Sequence, residues 1–77
     1  MKIILTNHLK FRLYDRTLDI EKIRLTVTRP ALSVPGKGDS IKYQREFEGR
    51  ILRVVGKHIV SKSTFIVLTA YYLKSRT

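Results

Sequence analysis

Pro30 divides the chain into two stretches of different periodicity. Before it, Ile20, Ile23 and Val27 recur at the spacing of one helix face, and Asp19 stands where a side-chain oxygen can cap the first turn. Pro30 ends that helix, because proline has no N–H to donate and disfavours helical geometry at the preceding Arg29. Upstream, the side-chain oxygen of Thr6 or Asn7 can cap an earlier helix, ribbed by Leu9 and Leu13 and running to about Arg16. The spacing therefore predicts helices over 6–16 and 19–29.

Beyond Pro30 the pattern is that of strands. Residues 31–35 form a short apolar run that ends in the turn cluster Pro35-Gly36-Lys37-Gly38-Asp39. Ile41, Tyr43, Arg45 and Phe47 then alternate with Lys42, Gln44, Glu46 and Glu48 until Gly49 interrupts, as in a hairpin. The predicted strands span 31–35, 40–48, 50–59 and 64–73. The last of these has no Gly, Pro or charged residue from Thr64 to Leu73, which suggests a central strand covered on both faces. The expected fold is α+β, with two N-terminal helices packed on a three- to four-stranded antiparallel sheet whose other face is partly open.

A chain of 77 residues allows one domain with a thin core. The usual staples of small folds are not on offer, since there is no cysteine and His8 and His58 lie far apart in sequence. No glycine-rich phosphate loop, metal-ligand spacing or Ser, His and Asp set is present, so any catalysis is expected to be free of metals and cofactors. Met1 to Leu5 is too short an apolar run for a signal peptide or a membrane span, and a cytoplasmic location, with no membrane partner, is expected.

Sixteen Lys and Arg against six Asp and Glu give a net charge of +10. Residues 1–38 and residues 39–77 each carry 8 basic and 3 acidic side chains, so the charge belongs to the folded surface and not to a basic tail. Such a surface steers polyanions, and nucleic acid is the expected partner.

His8, Arg12 and Arg16 recur at i, i+4 and i+8, forming a stripe beside Leu9 and Leu13. An imidazole next to guanidinium groups can move a proton while the cations stabilise charge developing on a phosphate. The same spacing also suits a capping or core-edge histidine beside two solvated arginines. In the strands, Tyr43, Phe65, Tyr71 and Tyr72 are interleaved with Lys42, Arg45, Arg53 and Lys74, the mixture that stacks bases and holds phosphates, although strand aromatics more often belong to a core. Tyr71 and Tyr72 must point to opposite faces. Arg53 shares a face with the apolar Ile51 and Val55, so its charge wants either a phosphate ligand or a partner such as Glu46 or Glu48.

Thr6-Asn7-His8 with Arg12 and Arg16, Leu18-Asp19-Ile20, Arg29-Pro30 and Val67-Leu68-Thr69-Ala70-Tyr71 together form a pattern. It resembles a family of small uncharacterised prokaryotic proteins with the motifs H-x3-R-x3-R and V-x-T-x-Y. That family is placed with the BrnT-like and RelE-like toxins, in the fold group that includes barnase and the colicin tRNases. Thr17 stands where the family tends to have glycine, which matters for a tight turn between the helices. The resemblance implies a RelE-like domain over 1–77 and a metal-independent endoribonuclease of a toxin–antitoxin system, with RNA, ribosome-associated mRNA included, as substrate and an acidic antitoxin as partner. It also implies that His8 is the general acid or base, that Arg12 and Arg53 stabilise the phosphorane, and that Thr69 and Tyr71 position the substrate in the reaction. Arg16, Lys42, Tyr43, Arg45, Thr69 and Lys74 are then the expected nucleic-acid contacts. Two other readings share the charge: a non-catalytic RNA- or DNA-binding module, and a structural subunit of a protein complex.

Overall fold

A computed structural model describes residues 1–14 and 18–73. Its elements run β1 (Lys2–Leu5), α1 (Asn7–Tyr14), α2 (Ile20–Thr28), β2 (Leu32–Pro35), β3 (Ile41–Phe47), β4 (Arg50–Ile59) and β5 (Thr64–Leu73), with a single 3₁₀ turn at Val60–Lys62. The fold is α+β, with two helices among the described residues. The sheet corrects the expectation: it has five strands in the order β1-β5-β4-β3-β2, and it is mixed, because β1 runs parallel to β5 while the other pairs are antiparallel. The extra strand is Lys2–Leu5, which pairs with Thr64–Val67.

Local chemistry explains the boundaries. Asp19 Oδ1 accepts the Glu21 N–H at 2.8 Å and caps α2. Arg29 is the last cap residue before Pro30, and its N–H returns to the Leu25 carbonyl. At the head of α1, Lys10 N–H bonds to the Thr6 carbonyl, but Thr6 Oγ1 is buried without a hydrogen-bond partner among the described residues, so there the backbone of Thr6 closes the first turn and its side chain does not. Glu48 and Gly49 join β3 to β4 with φ of 52° and 81°, and two positive φ values are what a two-residue hairpin turn of matching twist requires.

Both helices cover the same face of the sheet. Leu9 from α1 and Ile23 and Val27 from α2 pack with Leu52, Val54, Phe65, Val67 and Ala70 in one core. Between Val55 and Gly56 the pairing shifts, Val55 standing opposite Thr69 and Gly56 opposite Val67, so that Leu68 is the extra residue of a bulge. Gly56 belongs there because the Phe65 ring and the Ile66 carbonyl lie across it and leave no room for a Cβ. The other sheet face carries no helix among the described residues. Among the described residues β5 is therefore covered by helices on one side only, and not on both as its composition suggests. None of the described helices is long and apolar enough to cross a membrane.

Candidate nucleic-acid interface

Strand alternation and the pairing register decide which side chains share the open face. Gln44 of β3 stands opposite Arg53 of β4, and Arg53 stands opposite Tyr71 of β5, so these residues form one row across the sheet. The neighbouring row is Lys42, Val55 and Thr69. Lys42, Arg53, Thr69 and Tyr71 are thus brought onto one surface, all of them half-buried.

Arg53 is held rigidly in that row. Its Nε donates to Gln44 Oε1 at 2.8 Å, and Nη2 donates to the same oxygen. Nη1 donates to the Tyr71 hydroxyl at 3.3 Å, with the guanidinium carbon 5.9 Å from the Tyr71 ring centre. Among the described residues no carboxylate pairs with it. Glu46 lies on the same face but one row away, opposite Ile51, and Glu48 is spent in the hairpin turn. Every described partner of Arg53 is neutral, and the guanidinium fork has more N–H donors than these contacts use. A phosphate at this spot would accept charge-assisted hydrogen bonds, about twice as strong as neutral ones.

Tyr43 and Arg45 fall on the other side. Alternation turns them toward the helices, where Tyr43 packs against the core and Arg45 Nη1 donates to the Arg29 carbonyl at 2.7 Å. A cation at a helix C-terminus is favoured by the helix dipole, so Arg45 has a structural task at the end of α2. Tyr72 likewise packs against the core, with the Arg50 guanidinium 3.9 Å above its ring, while its neighbour Tyr71 faces the open side.

His8 and Arg12 sit on α1, in the helix layer, and not on the face that carries Arg53. His8 is exposed, and its side chain forms no hydrogen bond to a described residue. Arg12 is half-buried and reaches the edge of β5, where Nη1 donates to the Ala70 carbonyl at 2.8 Å. The contact falls beyond the end of β1, whose pairing with β5 stops at Val67. Arg16 and Lys74 lie outside the described residues, as does Thr17. Among the described residues no group of three or more His, Asp or Glu side chains gathers where a metal ion could be held.

Comparison with protein-family models, with curated proteins and with solved structures finds no match. The site stands on this chain's own residues.

Two residues of interest carry no signal of their role in the sequence. Gln44 is there only a polar position in an alternating strand, although a two-residue turn at Glu48 and Gly49 places it directly opposite Arg53. His58 is there only a distant second histidine, yet its Nε2 shares a 2.7 Å hydrogen bond with the Tyr43 hydroxyl. No local pattern reveals that contact, since it depends on the β3–β4 register and on which face the helices cover.

Proposed function

We propose that the open sheet face binds the backbone of RNA in the cytoplasm, with Arg53 gripping a phosphate beside Lys42. The observation that carries this reading is a half-buried guanidinium fixed by the neutral Gln44 and Tyr71, on the uncovered face of a chain of net charge +10. A sheet face with an aromatic side chain suits single-stranded RNA, whose splayed bases can stack on it, better than a duplex groove, which takes a helix or a ribbon. The test is fluorescence anisotropy with a single-stranded oligoribonucleotide over roughly 50 to 200 mM salt, where affinity should fall steeply as counterions are released. Arg53→Met should weaken binding at every salt concentration while leaving the melting temperature nearly unchanged. Salt-independent binding, or an Arg53→Met protein that binds like wild type, would sink the reading.

A second reading adds chemistry: a toxin-like, metal-independent endoribonuclease, as the resemblance implies. Arg12, one turn from the exposed His8, is tied to the carbonyl of Ala70, the residue next to Tyr71 in β5. The two groups thus flank one strand, with α1 at its edge and Tyr71 and Arg53 on its open face. RNA lying over that edge would meet His8 as the proton-transfer residue. A toxin of this kind needs a restraining partner, and an acidic protein is the fitting one, because the open face also exposes apolar Ile4, Leu32 and Val34 among its cations. Appearance of cleaved RNA in the presence of a chelator tests this reading, and its persistent absence from antitoxin-free protein, with or without ribosomes, leaves the binding module.

A further inference from the structure

A pocket of about 440 Å³ lies behind the β2–β3 hairpin, lined by Val34, Pro35, Asp39, Ser40, Ile41 and His58. We infer that this pocket is a nucleobase subsite, with the His58 ring as its stacking wall. The inference rests on the RNA-binding reading above and extends it to a part of the surface that no phosphate contact reaches.

The ring of His58 is exposed, yet it is fixed in place. Its Nε2 is hydrogen-bonded to the Tyr43 hydroxyl at 2.7 Å, its plane meets the Tyr43 ring edge-on at 81°, and its centre lies 4.7 Å from that of the buried Phe65. An exposed aromatic ring held by contacts on its inner side loses little freedom when a base stacks on it. The walls from Pro35 and Ile41 are apolar, as a base face requires, while the Asp39 carboxylate and the Ser40 hydroxyl oxygen, whose proton is donated to the Lys37 carbonyl at 2.6 Å, offer acceptors for a base edge. The carboxylate also decides between base and phosphate, because it repels an anion and accepts from an exocyclic amine.

The pocket adjoins the phosphate-binding face. Val34 lines it and is paired directly with Lys42, whose row neighbours that of Arg53. A single strand held at Arg53 and Lys42 can therefore pass around the short edge strand β2 and insert a base behind the hairpin.

The experiment compares a short oligoribonucleotide with an abasic ribose-phosphate chain of equal length, binding to wild type, His58→Ala and His58→Phe. Wild type should prefer the oligoribonucleotide, and His58→Ala should lose about 5- to 100-fold of that preference, the size of one base-stacking contact, with abasic binding unchanged. His58→Phe keeps a ring and should retain most of the preference. In wild type, backbone NMR signals of residues 34–41 and 58 should shift with the oligoribonucleotide and not with the abasic chain. An unaltered preference in His58→Ala, loss of preference in His58→Phe as large as in His58→Ala, or no shift in the hairpin would overturn the subsite while leaving the Arg53 reading intact. If neither chain binds at low salt, both fall together.

Discussion

The side chain opposite Arg53 across the β3–β4 pair is an amide, Gln44, and its Oε1 accepts from Arg53 Nε at 2.8 Å. A carboxylate in that position would hold the guanidinium equally well and would also cancel its charge. The neutral partner orients the fork and leaves its charge available to a ligand.

Gln44→Glu converts this relationship into an ion pair. Stability should change by no more than about 1 kcal/mol, as partly exposed pairs contribute little. RNA affinity should fall, and the slope of log affinity against log salt should shrink by about one, since one fewer phosphate is neutralised. An anisotropy titration in which Gln44→Glu keeps the wild-type affinity and slope would show that Arg53 does not meet phosphate.

His8→Gln tests the catalytic reading. The exposed side chain has no hydrogen-bond partner among the described residues, so stability should stay within the range of neutral surface changes, about 0.5 kcal/mol. Single-turnover cleavage of RNA should drop by about 10² to 10⁴-fold, with binding little changed and with products ending in a 2′,3′-cyclic phosphate. Cleavage at the wild-type rate would remove His8 from the chemistry.

Arg45→Met separates a structural cation from those proposed to bind RNA. It deletes the hydrogen bond to the Arg29 carbonyl at the end of α2 and should cost about 0.3 to 1 kcal/mol in urea unfolding. RNA affinity should fall far less than in Arg53→Met. An equal loss in the two variants would show that RNA reads total charge and not the open face.

Gly56→Ala probes the packing beneath the bulge. A Cβ there would collide with the Ile66 carbonyl oxygen and lie 2.6 Å from the Phe65 ring, both inside the folded sheet. Neither neighbour can swing away, so the cost should be at least the roughly 1 to 3 kcal/mol of an overpacked core. Wild-type stability in denaturant would mean that the β5 bulge is not packed as described.

What the sequence determined is what depends on neighbours a few residues away. Asp19 caps α2 and Pro30 terminates it because both effects act within one helical turn. The breaks at Gly49 and near Ser63 are legible for the same reason, and β4 and β5 occupy the expected residues 50–59 and 64–73. Alternation by itself likewise sends Tyr71 and Tyr72 to opposite faces. The tertiary structure decided everything that needs a distant partner. Lys2–Leu5 is four residues long and becomes a strand only because Thr64–Val67, some sixty positions later, supplies its hydrogen bonds, and that pairing is what makes the sheet mixed. Alternation says that Lys42, Gln44 and Arg53 oppose Tyr43 and Arg45, but not which set the helices cover. That choice falls to the burial of Leu9, Ile23 and Val27 against Leu52 and Val54. It makes Arg53 a candidate phosphate ligand and Arg45 a helix cap, and it leaves His8 in a different layer, because a side chain's face is set by the apolar surface its element must bury and not by its own charge.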